Sequence, residues 1–300
     1  MSLKDILVCL DASDAGEVRL RLAAQLAQRH KAHLFAVYVV PDDAADPSTY
    51  PANLGGLGIG APVGAVDMAQ GALVAGVPAP AVPAAVPRGI AQADIVEQRF
   101  REGLGPHGIQ GDWHPLGERD AAELVELAKS VDLVVIGQSS PDIPARSGFR
   151  PEDIVELCGR PLLVIPYAGT FATLGRRVLI AWDGTREATR ALHDALPLIE
   201  DAEAATVMTV RAQESAFEHD HAGLERIVRH LERHGIPAKA EESLRGDLAV
   251  SDVLLSRAAD LGADLIVSGA YHHSQLREAL VGGVSRELLD HMTLPVLMSH

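Results

Sequence analysis

The residues best suited to chemistry lie near the carboxyl end, in "SGAYHHSQLREALVGGVSRELLDHMTLPVLMSH", which starts at Ser268. Gly269 follows an apolar run, His272 and His273 come next, and the pair Gly282 and Gly283 opens an amphipathic helix with Ser285 in its first turn. Free N–H groups at a helix start, together with the positive end of its dipole, hold anions. The N–H groups of Gly283, Val284 and Ser285, with the Ser285 hydroxyl, therefore have the types and positions of a phosphate cradle. Arg277 and Arg286 are the nearby cations. The same glycine pair also serves as a plain turn into a helix. A second candidate is Asp183, directly after the apolar run "VLIAW" and before "GTREATRAL", where Thr185 is a natural N-cap. A carboxylate there accepts hydrogen bonds from an adenine amino group or a ribose hydroxyl, or it braces the turn. Asp11 in "CLDASDAGE" holds the equivalent place near the start of the chain.

That equivalence is one of three ordered matches. "KDILVCLDASDAGEVRLRLAAQLA" shares its plan with "RRVLIAWDGTREATRALHDALPLI". "SVDLVVIGQ" matches "GADLIVSGA", aligning Asp132 with Asp264 and Gly137 with Gly269, and "GRPLLVIPY" matches "MTLPVLMSH". The pattern predicts a duplication with its junction near residues 167–175. Asp11 and Asp132 are 121 positions apart, Asp183 and Asp264 only 81, so the first half carries about 40 more residues. The Gly/Ala/Pro/Val tract at 51–89 supplies them, and its prolines and glycines predict a long irregular insert.

Each half alternates strand and helix. In the second half, the patterns predict strands at 178–182, 205–210, 238–242, 265–268 and 295–298, with helices at 187–196, 218–234, 248–260 and 284–291. Continuous apolar runs such as "DLIVSG" suit strands covered on both faces, and helices between them imply right-handed crossovers in an open parallel sheet. Ligands in such sheets sit beyond the carboxyl ends of the strands, where Asp183, Val210 and Gly269 fall.

A chain of 300 residues with a formal charge of −15 repels nucleic-acid backbones and anionic membranes. Cys9 and Cys158 are the sole cysteines and read as core residues in a reducing compartment. No apolar stretch reads as a signal peptide or a membrane span, so the expected location is cytoplasmic. Histidines 219 and 221 in "EHDHAG" point apart on a helix, and no other histidine has metal-finger spacing. No nucleophile elbow or NTP-hydrolysing G-x4-G-K-[ST] loop is present.

Taken together, the chain resembles tandem universal stress protein domains over essentially all residues except the 51–89 insert. The family's nucleotide marker, G-x2-G-x9-G-[ST], falls on Gly269, His272, Gly282 and Gly283. The spacing is kept, while His272 replaces the middle glycine and Gly283 the hydroxyl residue, with Ser285 two positions on. In the first half, Ser140, Phe149 and Pro151 make the corresponding loop degenerate. The resemblance implies two tandem doubly wound α/β domains of the adenine nucleotide alpha hydrolase type, at residues 1–167 and 176–300. They would pack as an internal pseudo-dimer through "PLLVIPY" and "LPVLMS". It also implies ATP or AMP at the second domain, held by Asp183, Val210, Gly269, Gly282 and Gly283, with His272, Val284 and Ser285 beside them. No metal is expected beyond a magnesium ion carried by the nucleotide. The implied role is a non-catalytic stress-response protein whose small ligand regulates conformation or protein partners, with pairing of whole chains as a homodimer compatible with the fold. The alternatives are a weak ATP-hydrolysing or adenylate-transferring enzyme of the same superfamily, and an interaction scaffold that binds no nucleotide.

Overall fold

The computed structural model describes residues 2–40, 88–117, 121–139, 150–211, 221–270 and 283–300. Most of the 51–89 tract therefore lies outside the described residues; Arg88 and Gly89 open a helix. The first half runs β1 (Asp5–Leu10), α1 (Asp14–His30), β2 (His33–Val40), α2 (Arg88–Leu104), β3 (Gly111–Gly117), α3 (Ala121–Lys129), β4 (Leu133–Gly137), α4 (Pro151–Cys158) and β5 (Leu162–Ile165). The second half repeats that order with β6 (Arg177–Ala181), α5 (Arg186–Ile199), β7 (Ala204–Arg211), α6 (His221–Arg233), β8 (Ala238–Leu244), α7 (Val250–Leu261), β9 (Leu265–Gly269), α8 (Val284–His291) and β10 (Val296–Ser299).

All ten strands form one sheet in the order β3-β2-β1-β4-β5-β10-β9-β6-β7-β8. Every neighbouring pair is parallel except β5 and β10, which run antiparallel with Leu163 opposite Leu297. The doubly wound fold expected from the alternating patterns is thus present in each half, and the last strands join the halves. Successive strand residues point to opposite faces, so an unbroken apolar run needs cover on both. Ile6 and Val8 belong to a core to which α1, α2, α5 and α6 contribute on one face, whereas Leu7 belongs to the core to which α3, α4, α7 and α8 contribute on the other. Among the described strands, β3 and β8 are the edges. Pro115 sits in β3, and charged Lys239, Glu241 and Glu242 mark β8, features that discourage further strand addition.

The repeat aligned Asp132 with Asp264, and the two perform one structural task. Asp132 lies just before β4 and accepts backbone N–H bonds from Lys4 (2.6 Å) and Asp5 (3.1 Å), fastening the start of β1. Asp264 precedes β9 and accepts from Gly175, Arg176 and Arg177 (3.0–3.1 Å), fastening the start of β6. Cys158 is a core residue as expected, and Cys9 is partly buried and packs against the core. Burial raises both thiols, Cys9 to about 12, so neither is a ready nucleophile.

Charge-assisted bonds of this kind are worth more than neutral ones, so Asp264→Ala is expected to cost about 2 kcal/mol. The check is a lower urea midpoint with unchanged slope. A second expectation concerns acid. His30 is buried at the end of α1, where burial first and Arg29 second hold its pKa below the ordinary value. The unfolded chain therefore binds the proton more readily. This contribution to stability is complete above the unfolded value, about 6.5, and is lost as pH falls through the folded one. His30→Gln should flatten the decline in thermal midpoint between about pH 7 and 5; equal slopes in both proteins would contradict the assignment.

Candidate functional site

Strand order reverses around β6, whose neighbours β7 and β9 connect through helices on opposite faces. Such a switch point opens a crevice at the carboxyl ends of the strands. A cavity of about 480 Å³ lies there. Its floor comes from the ends of β6, β7 and β9, and its walls from the first turns of α5, α7 and α8. Asp183, Val210, Gly269, Gly283, Val284 and Ser285 all line it. His272 and Gly282 lie outside the described residues, as do His273 and Arg277. Arg286 is on α8 but does not line the cavity; its guanidinium faces Asp290 at 3.9 Å.

Asp183 braces the turn, the second of its two readings. Its Oδ1 accepts from the Thr185 backbone N–H (3.0 Å) and hydroxyl (2.6 Å), and Thr185 in turn caps α5 by accepting from Ala188 N–H. Its Oδ2 makes no hydrogen bond among the described residues, and the side chain is exposed beside the cavity. Asp11 begins identically, with Ser13 donating to Oδ1 through its N–H (2.9 Å) and its hydroxyl. There the likeness ends, because Arg19 pairs with Asp11 Oδ2. Arg19 is only 5% exposed, and its guanidinium lies against Gly137. Burial works to raise the Asp11 carboxyl, but Arg19 and the Ser13 donors outweigh it and hold the pKa below the ordinary value. Eight positions after Asp183 stands Ala191, which brings no cation.

Gly269 is required by close approach. A Cβ there would stand 2.7 Å from Ala188 N and 2.8 Å from the Glu187 carbonyl carbon, both backbone atoms that cannot swing away. Ser285 is largely buried at the start of α8 and directs its hydroxyl toward the Gly269 carbonyl at 3.5 Å. The N-cap of α8 is Gly283, which offers no side chain, so a ligand would meet backbone N–H groups at that end.

Sequence reasoning missed several walls. Trp182 and Met208 supply apolar surface, α7 supplies Val250 and Leu254, and Glu187 brings a carboxylate whose Oε1 meets Arg186 Nε at 2.5 Å. Glu156 reaches the cavity from α4 of the other half. Trp182 was adjacent to a chosen residue and could have been included. The others become neighbours only through packing. Among the described residues no group of three or more His, Cys, Asp or Glu side chains is arranged to hold a metal ion. None of the described helices is long and apolar enough to cross a membrane.

A sequence model described as the universal stress protein family matches residues 2–58 and 175–300. No curated protein matches the sequence. Among solved structures, a universal stress protein from Archaeoglobus fulgidus DSM 4304 is similar over 99% of this chain and 96% of its own, with a TM-score of 0.69 at 15% identity. A functionally unknown protein from Pseudomonas aeruginosa PAO1 is similar over 99% and 92%, with a TM-score of 0.57 at 17% identity. At such identities the likeness speaks for the fold.

The backbone clash makes Gly269→Ala the sharpest probe of this geometry. It is expected to push the first turn of α5 from β9 and lower stability by about 1–3 kcal/mol. An unchanged thermal midpoint would mean that α5 does not rest on Gly269.

Proposed function

The chain belongs to the universal stress protein family, and from that premise we propose that its second half binds one adenine nucleotide, ATP or AMP, or a related small ligand, as a non-catalytic regulatory signal. The observation that carries this reading is the gathering of Asp183, Val210, Gly269, Gly283, Val284 and Ser285 around one cavity. Each has a role suited to such a ligand. Asp183 offers a carboxylate oxygen to ribose hydroxyls or a base amino group. Trp182, Met208 and Val210 offer apolar surface to a flat base. Gly283, Val284 and Ser285 offer N–H groups at the α8 terminus to phosphate, and the loop carrying His272 and Gly282 would complete that end. Magnesium, where present, would arrive with the phosphates.

The regulatory reading follows from what the described cavity supplies. Phosphoryl transfer depends on cations and metal ions placed against the transferring group. The charged side chains lining the described cavity are carboxylates: Glu156, Asp183 and Glu187. The proposed consequence of binding is altered packing of α8, read by a protein partner.

The one-site reading rests on the contrast between Arg19 and Ala191. Both Asp11 oxygens are engaged within the chain, whereas Asp183 Oδ2 has no hydrogen-bond partner among the described residues.

The test is to denature the purified protein, identify any released small molecule by mass spectrometry, and titrate with ATP and AMP by calorimetry. About one ligand per chain is expected. Asp183→Ala should weaken binding at least about tenfold, in line with loss of a charge-assisted hydrogen bond, and Asp11→Ala should leave it unchanged. No released ligand and no heat with either nucleotide would refute the reading; equal losses in both variants would refute a single site.

A further inference from the structure

The cavity of the second half is walled partly by the first. Helix α4 buries Pro151, Ile154, Val155 and Cys158. That spacing seats one stripe of the helix against the sheet and turns Glu156 outward. The seam between β5 and β10 then brings this exposed carboxylate to the cavity built on β6 and β9. The first half also grips α8, whose first turn forms another wall. Gln138 follows β4 and donates from Nε2 to the carbonyls of Leu289 (2.7 Å) and Asp290 (3.2 Å), while its Oε1 accepts from Tyr167 N–H (3.3 Å). Glu156 and α8 are therefore held in one frame that spans the seam.

Three acidic residues, Glu156, Asp183 and Glu187, line this space. Asp183 has a hydrogen-bonding use and Glu187 meets Arg186. For Glu156, the structure shows neither a hydrogen bond nor an ion pair among the described residues. An anion entering the cavity meets the field of a residue that lines it, screened by salt over a Debye length of about 10 Å at 0.1 M, and the energy grows with ligand charge.

We infer that Glu156, contributed by the first half, is a specificity-determining residue that makes the cavity select by charge, favouring a nucleoside or nucleoside monophosphate over a triphosphate. The inference rests on the nucleotide reading of the same cavity. It gives the half with the degenerate loop a direct part in choosing the ligand bound by the other.

The test compares the full chain with Glu156→Gln and Glu156→Lys, titrated with adenosine, AMP and ATP in magnesium-free buffer and followed by calorimetry and Trp182 fluorescence in a Trp113→Phe background. Affinity for adenosine should stay within about twofold in Glu156→Gln, while AMP gains about twofold and ATP about tenfold, the gain growing with ligand charge as one negative charge leaves the cavity wall. Glu156→Lys should widen the spread, and about 0.5 M salt should narrow it. A purely structural role would move all three ligands alike. Equal changes, or none, with the ligands still binding would overturn the role of Glu156 and leave the nucleotide reading intact. Failure of all three ligands to bind any of the proteins would overturn both.

Discussion

The antiparallel pairing of β5 with β10 is the constraint on which the rest of the structure depends. Both strands are buried along their whole length, so neither has a polar face to turn toward water. Each would be an apolar edge with unpaired N–H and C=O groups if its half stood alone. Pairing satisfies those groups, extends two five-stranded sheets into one of ten, and leaves only the polar strands β3 and β8 at the margins. It also turns helices of one half toward the strand ends of the other, which is how Glu156 comes to line a cavity built on β6, β7 and β9.

Within that frame the two halves keep the same scaffold contacts and differ in what surrounds the strand ends. Asp132 and Asp264 fasten the first strand of each half. Asp11 and Asp183 make the same turn with the hydroxyl residue two positions on. The divergence lies in a few side chains. Arg19 pairs with Asp11 Oδ2, while Ala191 packs in the core and leaves Asp183 beside the cavity.

Much of this was legible in the sequence. The span 284–291 predicted for the last helix is the observed one, and the strand predicted at 265–268 is longer by Gly269 alone. Both are bounded by glycine, and their apolar periods are unambiguous. That Asp183, Val210 and Gly269 line a cavity was legible because the crevice of an open parallel sheet lies at the carboxyl ends of its strands. The walls were not, since Glu156, Val250 and Leu254 reach the cavity from helices that local sequence cannot orient. Arg19 left a usable signal: a charged residue on the buried face of α1, aligned with alanine in the repeat. Reading it required asking what a buried guanidinium pairs with. The central part of the loop that carries His272 and Gly282 is beyond the described residues.

The seam has a further consequence that concerns heredity as much as mechanics. When two identical subunits meet through such a pair of strands, each substitution appears on both sides of the twofold axis. Here the partners are encoded in tandem, and a change to one is not imposed on the other. An arginine can stand beside Asp11 while alanine holds the matching place after Asp183. Covalent joining keeps the partners together and frees them from symmetry, so one copy can take up new tasks while the other retains the ancestral arrangement.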